Sequence, residues 1–385
     1  MSTTHTTTHT TTHTTTRRPP GRTTRSLLGA AAAIILVAVT ACDDVSGDDR
    51  ARAEATIGHA AAAGLTVDIT DGLGVVRALT PGTLTLRASA PVIDVTLDVT
   101  AAAAGPWRVT VENALDDAVL TSPTLTFTPA PRPRPTVLVA DVELPAGRHT
   151  LTLAPPDTAP GPFRFAAMGD IQTGMPTVDE VFREIMTVTP PPRFVAFMGD
   201  LTDRGRLDEY DLAEQQLATL PIPFYATLGN HELWGDPALW RARYGRASYQ
   251  FTFRGVSFTF LDSGDAGLSP AVEAELDGWL DAARDRMHVV LTHFPPIDPV
   301  GTRDGSFKSR RDADRLLDKL AAGHVDLTLY GHIHTYLAFE NAGIPAFVSG
   351  GGGARPERWD GIARHFLVVD IAPTGKPTVG VHRVD

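Results

Sequence analysis

The stretch Val195-Ala196-Phe197-Met198-Gly199-Asp200-Leu201-Thr202-Asp203-Arg204 decides how this chain is read. A short apolar run of strand length empties into Gly-Asp, and the same grammar recurs on both sides of it. Phe163–Met168 runs into Gly169-Asp170-Ile171-Gln172, and 224–228 into Gly229-Asn230-His231-Glu232. Residues 289–292 lead to Thr292-His293-Phe294, and 325–330 to Gly331-His332-Ile333-His334. Amphipathic stretches at 179–186, 207–220, 271–283 and 310–320 separate these runs, and Arg254-Gly255 joins two further runs as a hairpin. Strands alternating with helical patterns predict an α/β domain with largely parallel sheets. In such sheets ligands gather where loops leave the carboxyl ends of the strands.

Each of the five strand exits carries a polar side chain able to bind a metal, and in four of them a glycine permits close backbone approach. Carboxylate, imidazole and amide oxygen without thiolate suit Mn, Fe, Zn or Ni. Two such ions about 3.5–4 Å apart can clamp the attacking and leaving oxygens of an in-line displacement.

This ordered set resembles the calcineurin-like metallophosphoesterase superfamily, over 163–384. The resemblance implies an α/β (α+β) fold of two packed β-sheets flanked by helices, with two divalent or mixed-valence metal ions at the strand ends. It implies that Asp170, Gln172, Asp200 and His334 hold the first ion, and Asp200, Asn230, His293 and His332 the second. Asp200 would bridge them, and a bridging hydroxide would attack phosphorus. His231 would protonate the leaving group, with Asp203 as the carboxylate that pairs with it and keeps it charged. The implied activity is hydrolysis of a small-molecule phosphoester, with monoester, diester and pyrophosphate all open.

Three departures narrow that expectation. Gln172 stands where the family usually has histidine, replacing a nitrogen ligand with a neutral oxygen. Asp203 stands where purple acid phosphatases carry a tyrosine ligand, which argues against a purple chromophore. Leu228 replaces the arginine that precedes Gly-Asn-His-Glu in serine/threonine protein phosphatases. Trp234, Trp240 and Tyr244 are candidates for an apolar wall beside a leaving group, or for core. Asp262-Ser263-Gly264 lacks the Gly-x-Ser-x-Gly elbow of a serine nucleophile. Gly350–Gly353 reads as a loop packed beside the site.

Upstream, residues 65–154 alternate Thr, Val and Leu in about seven short runs between turn residues, the pattern of a smaller antiparallel, all-β immunoglobulin-like sandwich. Residues 155–162 form a proline-rich linker to the domain at 163–385. A Thr/His-rich leader opens the chain, followed by Arg17, Arg18, Arg22 and Arg25, an apolar run at 27–39, and Val39-Thr40-Ala41-Cys42. A basic start, a short apolar run and small residues are the marks of a secretory signal over 1–41, and the last four residues resemble the lipobox of bacterial lipoproteins. On this reading Cys42 carries lipid, 42–64 is a tether or contains a short helix, and the protein sits outside the cytoplasm in the cell envelope.

The 385 residues hold one cysteine, so no intramolecular disulfide and no multi-thiolate site can form. The formal net charge of −11 weighs against a nucleic-acid-binding surface. Loss of the leader removes four arginines and no acidic residue, deepening that charge to −15. The alternative to an enzyme is a non-enzymatic envelope binding protein with a relic metal site, a reading that Gln172 favours.

Overall fold

The computed structural model describes residues 45–301, 304–372 and 376–385. The signal segment and Cys42 lie outside the described residues. No helix among them is long and apolar enough to cross a membrane.

The described chain opens with helix α1 (Gly47–Glu54), capped by the Ser46 side chain, which accepts from the Asp49 N–H. Ten strands follow: β1 (His59–Ala62), β2 (Leu65–Ile69), β3 (Gly74–Thr80), β4 (Thr83–Ala88), β5 (Ile93–Val99), β6 (Gly105–Glu112), β7 (Val119–Thr121), β8 (Phe127–Ala130), β9 (Val137–Leu144) and β10 (Gly147–Ala154). They build two five-stranded sheets, ordered β1-β2-β5-β10-β7 and β3-β4-β6-β9-β8. Period-2 burial explains the strands: in β5, Ile93, Val95, Leu97 and Val99 point inward while Asp94, Thr96 and Asp98 point out. One pairing departs from the antiparallel expectation. β4 and β6 run parallel, because the chain leaves for the other sheet as β5 and returns.

The remaining elements are β11 (Phe163–Met168), α2 (Val178–Thr187), β12 (Val195–Met198), α3 (Leu207–Leu217), β13 (Phe224–Thr227), α4 (Pro237–Tyr244), β14 (Tyr249–Phe253), β15 (Val256–Leu261), α5 (Pro270–Ala283), β16 (Met287–Thr292), α6 (Arg310–Ala322), β17 (Leu327–Tyr330), β18 (Tyr336–Asn341), β19 (Ile344–Ser349), β20 (His365–Ile371) and β21 (Thr378–Arg383). One sheet runs β13-β12-β11-β20-β21, the other β14-β15-β16-β17-β19-β18. β11, β12 and β13 are parallel to one another, as are β15, β16, β17 and β19. β20 runs antiparallel to both β11 and β21 inside the first sheet, and β14 and β18 are antiparallel edges of the second, so both sheets are mixed.

Aromatic rings fill the space between these two sheets. Phe165 meets Phe258 edge-on with centroids 5.2 Å apart, and Phe194 meets Phe258 at 5.4 Å. Each buried ring contributes about 1.5–3 kcal/mol through area removed from water, and each such pair about 0.5–1.5 kcal/mol more. Helices cover the outer faces. Val178, Val181, Phe182 and Ile185 of α2 share one cluster with Val195 and Phe197, and Ala313, Leu316 and Leu320 of α6 share another with Val290. All five metal-competent motifs therefore leave the same ends of parallel strands.

Within 45–64 the chain forms the short helix α1 rather than a plain tether. Arg50, only 2% exposed, donates Nε and Nη2 to the two oxygens of Asp262, at 2.7 and 3.1 Å. Glu54 lies beside it with 5% exposure, accepting from the N–H groups of Ala247 and Ser248. Burial, with the charge of Asp262 adding to it, pushes the Glu54 carboxyl up to about 8. The folded chain thus keeps a proton that the unfolded chain sheds near pH 4.5. Stability relative to Glu54→Gln should fall as pH rises from about 4.5 to about 8, then level off. Melting temperatures of the two proteins across that range check it; a constant difference refutes it.

Candidate active site

The strand exits need unusual backbone. Asp170, Gln172, Asp200 and His332 have φ of 63, 43, 61 and 68°, a left-handed region that side chains other than glycine rarely adopt. Such residues persist only where surroundings hold them, at about 1–3 kcal/mol each. Here the Asp170 N–H donates to the Gly199 carbonyl at 3.0 Å, and the Ile171 and Gln172 N–H groups donate to the Asp200 carbonyl at 2.9 and 3.2 Å. Glycine is obligatory at two contacts. A Cβ on Gly229 would stand 2.1 Å from Asp200 Oδ1, and one on Gly331 would stand 2.8 Å from both Asp170 Oδ2 and the Met198 carbonyl.

Asp200 is 1% exposed and sits at the centre. Its Oδ1 accepts from the His231 N–H at 3.0 Å. Its Oδ2 accepts from Gln172 Nε2 at 2.7 Å and lies 3.3 Å from His293 Nε2. Asn230 Oδ1 is 3.0 Å from that same His293 nitrogen. His293 donates Nδ1–H to the Met198 carbonyl at 2.8 Å, which turns Nε2 inward. His334 does the same with the Arg355 carbonyl at 2.7 Å, bringing its Nε2 to 3.4 Å from Asp170 Oδ1. His332 reverses the arrangement: Nε2 donates to the Asp304 carbonyl at 2.9 Å and Nδ1 is left for the site.

The donors fall into two groups with ligand atoms within 4.8 Å of one another: Asp200, His293 and His332, and Asp170, Asp200 and His334. Asp200 belongs to both. Gln172 and Asn230 add amide groups next to them. Gln172 presents its Nε2 to Asp200, so its oxygen would face a cation only after the amide turns over.

The electrostatics suit a cation. Burial opposes charge on Asp200, but the His293 imidazolium and its hydrogen bond hold the carboxyl well below the usual range. Burial also opposes charge on His293, yet Asp200 lifts it to about 9. His334 reaches about 9 through Asp170 in the same way, whereas burial and the neighbouring His293 push His332 down to about 4. Protons stand where positive charge is wanted.

His231 is oriented by main chain. Its Nδ1 donates to the Asp203 carbonyl at 2.7 Å, while the Asp203 carboxylate is 3.9 Å away and 3.5 Å from Arg204 Nε. The neutral main-chain oxygen is the nearer acceptor, and the anticipated carboxylate stands at the edge of ion-pairing distance. Trp234, 59% exposed, packs against His231 with ring centroids 4.0 Å apart and planes tilted by 35°. Trp240 and Tyr244 are buried in the core, so Trp234 alone of the three stands beside the site. Ser263 is no nucleophile: its buried Oγ accepts from the Phe294 N–H. The glycine loop packs beside the site, with the Gly352 and Ala354 N–H groups donating to the carbonyls of Gly169 and Asp170.

Glu232 was not singled out from the sequence. Fully buried, its carboxylate accepts from the N–H groups of Asp200, Thr202 and Gly229 and from the Thr202 hydroxyl, at 2.7–3.0 Å. It ties the second and third strand exits together. Burial, then Asp200, raise its pKa against those four donors. Its place three residues after Gly229 in Gly-Asn-His-Glu was the available signal; nothing in the sequence reveals that it reaches back to Asp200.

Residues 163–336 match the model of the calcineurin-like phosphoesterase family. That segment is a calcineurin-like phosphoesterase domain. A 48-residue stretch is 42% identical to the probable glycerophosphodiester phosphodiesterase GpdQ of Arcobacter nitrofigilis, covering 12% of this chain and 18% of that protein. The chain thus spans under a fifth of the curated relative it matches. Among solved structures, it is similar to the yellow lupin purple acid phosphatase PPD1, at 13% identity, covering 76% of this chain and 70% of that one, with a TM-score of 0.49. A Danio rerio dimetal phosphatase is 13% identical, with 58% of this chain and 96% of that one covered and a TM-score of 0.47.

Glu232→Gln keeps the shape of the side chain but leaves a donor without its acceptor. Metal affinity should drop about 10–100-fold, the usual consequence of losing a group that orients ligands, while the circular dichroism spectrum is retained. Metal content after dialysis against defined free Mn²⁺ measures it, and wild-type retention would refute the role.

Proposed function

We propose that this chain is a metal-dependent hydrolase of phosphoric esters working with two metal ions. The observation that carries the reading is Asp200, common to both donor groups and accompanied by Gln172 and Asn230. Mn, Fe, Zn or Ni would suit those donors. Asp170, Gln172, Asp200 and His334 would hold one ion, and Asp200, Asn230, His293 and His332 the other. When bound, such ions lower the pKa of water and neutralise phosphoryl oxygens.

The protein's own groups do the rest. Carbonyls of Met198 and Arg355 fix the tautomers of His293 and His334. The Asp203 carbonyl fixes His231, whose Nε2 faces the centre 3.8 Å from Asp200 Oδ2. That nitrogen can carry a proton to the departing oxygen, and Trp234 shields one face of the ring.

Purified protein incubated with Mn²⁺ and two chromogenic esters, one mono and one di, tests the reading. Turnover of either, reduced at least 100-fold by Asp200→Asn, is expected. Absence of turnover with both would favour the envelope binding protein, whose supporting observation is the Gln172 amide donating to Asp200.

His231→Ala should lower turnover about 10²–10⁴-fold while metal content stays within twofold. Elemental analysis that shows both falling together would reassign His231 to metal retention.

We also propose an extracytoplasmic, lipid-anchored protein, a reading supported by the apolar run at 27–39 and by Cys42. Cys42→Ser should move the protein from the membrane to the soluble fraction of its host; retention in the membrane would refute lipid attachment at this residue.

A further inference from the structure

A second polar cavity lies away from the metal-competent cluster, between the first β-layers and helices α3 and α4. Its volume is about 80 Å³, room for about five to eight waters at 10–15 Å³ each. Arg77 of β3, Arg87 of β4, Glu112 of β6 and Arg134 line it from one side, and Glu214 of α3 and Tyr244 of α4 from the other. Three guanidinium groups thus face two carboxylates.

The carboxylates are already engaged. Arg77 takes Glu214 at 2.8 Å and Glu112 at 4.0 Å, and donates its other nitrogen to the Arg243 carbonyl at 3.1 Å. Arg87 is partly buried and has no carboxylate within ion-pairing distance among the described residues. Its guanidinium makes one hydrogen bond, to the Phe224 carbonyl at 3.3 Å, and lies 5.1 Å from the centroid of the Tyr244 ring. Arg134 is exposed at the mouth, and its guanidinium forms no hydrogen bond or ion pair among the described residues. The Tyr244 hydroxyl is buried and has no hydrogen-bond partner, though such groups are nearly always satisfied.

We propose that this cavity binds a small tetrahedral oxyanion, of which inorganic phosphate is the simplest example. Arg87 and Arg134 supply paired N–H donors in the fork geometry that fits such an anion, and the Tyr244 hydroxyl supplies another donor. The anion offsets the one guanidinium charge in excess over the two carboxylates and satisfies the orphaned hydroxyl. Its size matches the five heavy atoms of phosphate. Because α3 follows the Asp203-Arg204 loop and α4 follows Trp234, the anion would also brace both segments that flank His231.

Calorimetric titration of the metal-loaded full chain with inorganic phosphate tests the site. The wild type should bind one more equivalent than Arg87→Gln, whatever binds at the metal cluster. Tyr244→Phe, which keeps the ring and its packing, should weaken that equivalent about tenfold, as expected for losing one hydrogen bond to a charged group. Sulfate should compete for it and acetate should not. Equal stoichiometry in wild type and Arg87→Gln, or unchanged affinity in Tyr244→Phe, overturns the proposal. Acetate competing as well as sulfate overturns the tetrahedral class and assigns the cavity to carboxylates.

Discussion

A carboxylate with 1% exposure, Asp200, constrains everything around it. An isolated buried charge is prohibitively unfavourable, so it survives only with partners on every lone pair. Those partners arrive from three segments, as the Gln172 amide, the His231 N–H and the His293 imidazole, while Glu232 accepts from the N–H groups of Asp200 and Gly229. The left-handed backbone at Asp200 and the missing Cβ of Gly229 are both consequences of bringing that carboxylate so close to neighbouring main chain. Local conformational strain is exchanged for a dense set of charge-assisted hydrogen bonds.

The scaffold meets this demand by being rigid. Aromatic rings between the sheets lock the strands whose exits form the site, and α2 and α6 cover the outer faces. Helix α1 adds a long-range tie, since Arg50 reaches Asp262 at the end of β15 and Glu54 caps N–H groups just before β14. A buried pair of this kind becomes strongly destabilising when one partner is removed, because the other charge is left uncompensated. The first β-layers share a contiguous apolar cluster with the central sheets, so they are packed partners of the phosphoesterase domain. The arginine-lined cavity is where that shared surface turns polar.

Much of this was legible locally. Period-2 alternation marks β5 and its neighbours, and apolar runs ending in Gly-Asp, Gly-Asn-His-Glu, Thr-His and Gly-His-Ile-His mark the five strand exits. Sequence spacing could not show that α1 is a buried staple, because a short stretch rich in Asp and Arg looks solvated until Asp262 is placed opposite it. The parallel pairing of β4 and β6 was equally hidden, since it depends on β5 joining the other sheet. His231 was expected to lean on a carboxylate; its nearest acceptor is a main-chain carbonyl, and backbone orientation has no residue code.

The sequence alone determined which chemical groups were available: carboxylates, imidazoles and amides at strand exits, with glycines beside them and no thiolate to compete. These are composition and local spacing, properties that hold for any stretch of chain. Tertiary structure alone decided which nitrogen each histidine presents, that Glu232 clamps two loops, that Trp234 rather than Trp240 or Tyr244 covers His231, and that Arg87 and Tyr244 line one cavity. Each of these depends on atoms far apart in the chain meeting within about 3–5 Å, where hydrogen bonding and charge are felt.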